Sequence, residues 1–133
     1  MAKRRRFKIS FTFKGEPLTK SNNAKWWKGR MRIPARIKKY EQALHDYAKK
    51  VMQRSKRRIT KKLVKVKVIY YLGSKRRKDL QNLPKTTMDA LNGAVYKDDS
   101  QVHDLHIIKK LDRKNPRIRI TIEEMSDAKW EST

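Results

Sequence analysis

The stretch LVKVKVIY, residues 63–70, restricts the fold more than any other part of this sequence. Its β-branched residues alternate with lysine, and successive side chains of a strand point to opposite faces of a sheet. Such a segment buries its apolar row only where another layer covers that face of the sheet. The sequence therefore predicts an amphipathic strand packed beneath a second layer.

Four further segments have the composition of strands. Phe7, Ile9, Phe11 and Phe13 repeat the two-residue period of a strand with one buried face. The turn residues DRKNPR separate the last two segments and predict a hairpin. The predicted strands are 7–13, a short one at 30–33, 63–70, 102–109 and 117–123.

Two other segments have the spacing of helices. Apolar residues recur every three or four positions from residue 37 to residue 51. A second helix is predicted over about residues 81–92, ended by Asn92-Gly93. This order predicts one domain, residues 1–133, of the α/β or α+β class, with a mixed sheet of about four to five strands, two main helices and a frayed tail from about residue 126.

The charge balance narrows the classes of function. The chain has 37 Lys+Arg against 13 Asp+Glu, a net charge of +24, which is typical of a protein that binds nucleic acid. With no cysteine there is no disulfide, zinc knuckle or thiol nucleophile. No apolar run is long enough to span a membrane, no signal-peptide core is present, and no glycine-rich loop suggests a nucleotide. We therefore expect a cytoplasmic protein with no membrane partner and no small-molecule cofactor.

Two segments are candidates for contact with nucleic acid. The consecutive cations Lys75, Arg76, Arg77 and Lys78 suit phosphate groups, although a solvated face would have the same composition. The pair Trp26-Trp27 could stack on unpaired bases, and could equally cap the core or lie in a dimer interface.

Carboxylates lie within this most basic part of the chain. Helical spacing places Asp79, Asn82 and Asp89 on one stripe, together with Lys85 or Thr86. The motif DDSQ follows in a polar turn at 98–101. Phosphodiester hydrolysis needs a polarised phosphoryl oxygen, an activated water and a stabilised leaving oxygen, and Mg²⁺ held by a few carboxylates supplies all three. Acids among cations are therefore the arrangement that a nuclease requires.

The same residues also have structural readings. Asn82 could be a helix N-cap. Asp79 near a helix N-terminus is favoured by the macrodipole, and Asp98 and Asp99 could be ordinary solvated turn residues.

The segment KRRKDLQNLPKTTMDALNGAVYKDDSQVHDLHIIKK resembles the RusA-like Holliday junction resolvases, whose motif runs D-x-D-N-x-x-K, then D-A-L, then D-D-x-Q. The likeness extends upstream to SNN at residues 21–23 and downstream to RIRITIEEM at 117–125. Members of this family look like homodimeric α/β proteins that bind four-way DNA junctions and nick two opposing strands, using Mg²⁺ or Mn²⁺. The resemblance implies a metal-dependent endodeoxyribonuclease of DNA recombination and repair.

The resemblance assigns roles residue by residue. Asp79 and Asp99 match the metal-ligand acids, and Asp98 is the neighbour of the second. Asn82 matches the motif asparagine. Lys85 matches the lysine that assists catalysis by stabilising transition-state charge.

Gln81 is a departure from the motif, because it stands where a second aspartate is usual. Its amide oxygen can coordinate a metal or a metal-bound water but brings no charge, so we expect weaker metal binding.

The upstream match implies DNA contacts for Asn22 and Asn23.

Two alternatives to the nuclease remain. Composition alone suits a non-catalytic basic nucleic-acid-binding protein. A RusA-like protein weakened or inactivated through Gln81 would bind junctions without resolving them. The ordered set of acids, asparagine and lysine argues against the first alternative, and a nicking assay decides the second.

Overall fold

The structure, a computed structural model, describes residues 7–18, 25–27, 30–32, 34–74 and 82–126, with residues 25–27, 30–32 and 82 considered by their backbone alone. Two helices and six strands follow one another in these ranges. They are β1 (Lys8–Lys14), β2 (Lys25–Trp27), β3 (Arg30–Arg32), α1 (Ala35–Arg54), β4 (Val64–Leu72), α2 (Asn82–Leu91), β5 (Val102–Leu111) and β6 (Arg117–Glu124).

The main sheet has four strands in the order β1-β6-β4-β5. β4 pairs in parallel with β5 and antiparallel with β6, and β1 pairs antiparallel with β6, so the sheet is mixed, as expected. The alternating segment 63–70 forms most of the interior strand β4. Its side chains Val64, Val66, Val68 and Tyr70 are fully buried, which confirms the predicted covered face.

Both helices lie on this covered face. α1 places Tyr47 against Phe11 and Phe13 of β1, with ring centroids 5.9 and 5.6 Å apart. α2 is tied to β4 by a buried hydrogen bond of 2.8 Å between the hydroxyl oxygens of Tyr70 and Thr87. The opposite face of the sheet, which we call the open face, has no described helix on it. No helix among the described residues is long and apolar enough to cross a membrane.

The ends of α2 follow the signals in its sequence. Pro84 is the third residue of the helix, where its missing N–H would have no intrahelical partner. Gly93 has φ +76°, a left-handed conformation that favours glycine after a helix, and the Val95 amide donates to the Leu91 carbonyl at 3.1 Å. The predicted helix and its glycine stop are confirmed.

The predicted hairpin between the last two strands is wrong. β4 lies between β5 and β6, and the linking residues 112–116 cross the end of β4. The Asp112 amide donates to the Leu72 carbonyl at 2.8 Å, and the Gly15 amide donates to the Pro116 carbonyl at 3.0 Å. The turn residues correctly indicate that the chain reverses direction. The strands on either side of the turn do not pair with each other, because the more apolar β4 lies between them and pairs with both.

The segment around Trp26-Trp27 was predicted as a loop followed by a short strand. The short strand is confirmed as β3, and Trp26 and Trp27 lie in β2, which pairs antiparallel with β3 in a separate two-stranded sheet. Whether these tryptophans stack on bases stays a prediction. The tail beyond residue 126 lies outside the described residues.

Candidate active site

The 3₁₀ turn Asp99–Gln101 lies directly before β5, and we call it, together with the preceding Asp98, the acidic turn. Asp98 is its N-cap, and its carboxylate Oδ2 accepts a hydrogen bond from the Ser100 amide at 3.1 Å. In return the Asp98 amide donates to Gln101 Oε1 at 2.9 Å. This reciprocal pair is a capping box, and it fixes the backbone that carries Asp98 and Asp99.

Gln101 also secures the acidic turn to the rest of the molecule. Its Nε2 donates to the carbonyl oxygens of Thr60 and Lys62, at 3.0 and 2.8 Å. These two residues lie just before β4, so one carboxamide joins the turn to the segment that leads into the interior strand. Sequence reasoning gave Gln101 no role, although the D-x-x-Q spacing of a capping box was present in the motif.

The two turn aspartates are exposed carboxylates. Hydrogen bonds from the Ser100 side chain and backbone, with smaller ones from Asp99, lower the pKa of Asp98. Because the folded-state pKa lies below the ordinary value, this carboxylate stabilises the fold above that ordinary value, and the contribution is lost as pH falls through the lowered pKa. Asp98 is therefore ionised at neutral pH.

Tyr96 is a buried tyrosine whose pKa is affected by acids of two elements. Its hydroxyl is buried and donates to the Met88 carbonyl at 2.9 Å. Burial raises the pKa of Tyr96, and the negative charges of Asp99, Asp89 and Asp98 raise it further. The tyrosine therefore stays neutral, and carboxylates of both α2 and the acidic turn act on it electrostatically.

The predicted polar stripe on α2 is correct in part. Lys85 is exposed and Asp89, one turn later, is half-buried, whereas Thr86 is buried in the core. Asn82 is the first residue of α2, and its predicted capping role is untested.

Several predicted site residues lie outside the described residues. They are Asp79, Gln81, Lys75, Arg76, Arg77, Lys78, Asn22 and Asn23.

The acidic turn carries the donor type that a divalent cation would need. Asp98 and Asp99 offer carboxylate oxygens at the surface, the donor type that Mg²⁺ prefers. Within the described ranges, no three histidine, aspartate or glutamate side chains are placed to hold one ion. The acidic turn therefore fits a divalent cation chemically and needs a further ligand, for which Asp79 is the motif candidate.

Comparison with known proteins gives a consistent family. The family model described as endodeoxyribonuclease RusA matches residues 14–123. The chain is similar to the crossover junction endodeoxyribonucleases RusA of Enterobacteria phage 82 and of Escherichia coli K12, each 38% identical over 65 residues, 48% of this chain and 54% of the relative. It is also similar to the uncharacterized protein YqaN of Bacillus subtilis, 46% identical over 48 residues, 36% of this chain and 33% of the relative. The matches thus span about half the length of the RusA relatives.

Proposed function

Because the chain belongs to the endodeoxyribonuclease RusA family, we propose that it binds four-way DNA junctions and resolves them by paired nicks. The observation that carries this proposal is the acidic turn, fixed by Gln101 and set beside α2 in a chain of net charge +24. Carboxylates held in place among cations bring a polyanionic substrate and a cationic cofactor to the same point.

The proposed cofactor is Mg²⁺ or Mn²⁺. Asp79, Asp98 and Asp99 would hold it, with Gln81 as a neutral ligand or water-holding residue. When bound, such an ion supplies the polarisation of the phosphoryl oxygen and the activation of water that phosphodiester hydrolysis needs.

The chain's own residues would bind and orient the DNA strand. Lys85 projects from the solvent-facing side of α2 and would stabilise the negative charge that grows on the phosphoryl group. Lys75–Lys78, with Asn22 and Asn23, would contact the backbone of the junction, and Trp26 and Trp27 would meet unpaired bases. These contacts position the scissile phosphate, while the acids make it reactive.

The proposed assembly is a homodimer. A four-way junction has near-twofold symmetry, and two coordinated nicks need two equivalent sites related by the same symmetry. A twofold dimer of this chain would provide them.

Asp99→Asn should abolish nicking while sparing junction binding, because it removes a charge that holds the cation and leaves the phosphate-contacting lysines intact. The assay incubates wild type and variant with an end-labelled four-way junction, with and without Mg²⁺ or Mn²⁺, and measures binding without metal. The matched control is Asp46→Asn, the same change at an exposed position on α1. Nicking by Asp99→Asn at the wild-type rate would remove the acidic turn from the site.

Gln81→Asp tests the family departure. A further carboxylate deepens the cation site, so this variant should nick faster or at a lower Mg²⁺ concentration than wild type. If wild type binds junctions and is inert while Gln81→Asp nicks them, the protein is a junction binder with the fold of a nuclease. If neither version nicks any branched DNA, the proposed activity is wrong.

A further inference from the structure

The open face of the sheet has a charge pattern that the strand register defines. Lys14 pairs with Arg117, Arg117 with Tyr71, and Tyr71 with Lys110, so these residues form a first row across all four strands. The Arg117 guanidinium lies 3.7 Å from the centroid of the Tyr71 ring. It also donates to Asp112 of the crossing loop at 2.8 Å, so its charge is largely compensated.

The next two rows contain no carboxylate either. The second row consists of Thr12, Arg119, Ile69 and Ile108, and the third of Ser10, Thr121, Lys67 and His106. Arg119 donates to Thr12 Oγ1 at 3.0 Å, which holds the guanidinium over the sheet.

The fourth row is different because its charges alternate. Lys8, Glu123, Lys65 and Asp104 follow one another across the strands. Asp104 also lies 3.0 Å from the His106 ring nitrogen. The acids of the strands' open face are thus confined to the row nearest the acidic turn, and the other three rows carry the excess of cations.

We propose that the open face, centred on Lys67, Lys110 and Arg119, binds the phosphate backbone of a duplex arm of the branched DNA, an inference that rests on the function proposed above. All three side chains are exposed. A polyanion is the partner that such a surface fits. A second copy of the chain fits it poorly, because packing two open faces together would oppose like charges.

The dimensions suit a duplex. Lys14 and Lys110 stand on the two edge strands, three interstrand spacings or about 14 Å apart, which is close to the width of about 12 Å of the DNA major groove. Along β5, Lys110 lies roughly 30 Å from the acidic turn at a rise of about 3.3 Å per residue. The proposed contacts would therefore bind an arm of the DNA at a distance from the scissile phosphate.

The test is a triple variant with a matched control. Lys67→Gln, Lys110→Gln and Arg119→Gln together remove three open-face cations, and Lys38→Gln, Lys49→Gln and Lys50→Gln remove three exposed cations from α1. Binding to a four-way junction is measured without metal over a series of salt concentrations. The slope of log K against log salt should become shallower by about 2 to 3 in the open-face variant and by less than about 1 in the control.

Two results would overturn the inference. Equal changes in the two variants would show that only net charge matters. If the open-face variant changes from dimer to monomer while its slope of log K against log salt equals that of the control, the open face is an interface between two copies of the chain. Thermal unfolding of both variants confirms that they fold. Because the measurement involves no cleavage, a protein that grips DNA through the open face and never nicks it would refute the proposed function and leave this inference intact.

Discussion

At the scale of single residues, Gln101 is the main addition to what the sequence predicts. Its carboxamide makes three hydrogen bonds, two of them to carbonyl oxygens of a segment about 40 positions earlier in the chain. The local capping box could be read from the D-x-x-Q spacing. The long-range hydrogen bonds could not be predicted from the sequence, because they form only when the acidic turn and the segment before β4 lie side by side in the folded protein.

Replacing Gln101 by Met should loosen the acidic turn while keeping side-chain length. Loss of partly exposed hydrogen bonds should cost about 1–3 kcal/mol of unfolding free energy. The metal concentration for half-maximal nicking should rise severalfold, because the carboxylates of Asp98 and Asp99 in the turn would be less well placed. Thermal unfolding and metal-dependent nicking measure the two effects, and metal-free junction binding should not change.

Gln53→Met is the control for that variant, since Gln53 is exposed on α1. Nicking by Gln101→Met at the wild-type metal requirement would show that the turn needs no such support.

At the scale of elements, hydrophobic periodicity and helix-capping residues predicted the strands and helices better than turn residues predicted how the strands pair. The alternation in β1 and β4 and the glycine after α2 correctly identified strands and a helix end. The DRKNPR turn correctly identified a reversal but not the neighbour of the strand that follows it. The neighbour of a strand depends on how apolar surface is buried across the whole sheet, which no local turn encodes.

β5 is the element through which we expect the proposed homodimer to form. It is an edge strand with β4 as its sole partner among the described strands, and Leu105 and Leu111 are 41% and 45% exposed. Edge backbone and exposed leucines favour pairing with another strand. An antiparallel β5–β5 contact about a twofold axis is therefore the expected dimer interface.

Leu105→Asp should shift the protein from dimer to monomer, because it places charge in that contact without removing core packing. Sedimentation velocity at micromolar concentration measures the shift. Ile59→Asp is the matched control, since Ile59 is 43% exposed and lies in the connector before β4. If wild type already sediments as a monomer, or if both variants stay dimeric, β5 is not the interface.

At the scale of the whole molecule, composition predicted the kind of partner but not the surface that meets it. A net charge of +24 is compatible with any distribution of cations. The pairing of β6 with both β1 and β4 collects Arg119, Lys67 and Lys14 on one face and isolates Glu123 among lysines. This arrangement depends on register between strands far apart in sequence, which composition does not contain.

The interior position of β6 has a consequence for biosynthesis. β6 is the last described strand to leave the ribosome, yet β1 pairs with it and with no other described strand of the main sheet. At a synthesis rate of roughly 5–20 residues per second, β1 and its phenylalanines remain without their partner strand for on the order of ten seconds. Until then the edges of both β1 and β4 are open to other chains, and a nascent chain of this charge would sit close to the polyanionic RNA of the ribosome itself. The four-stranded sheet can therefore be completed only after synthesis has passed residue 124.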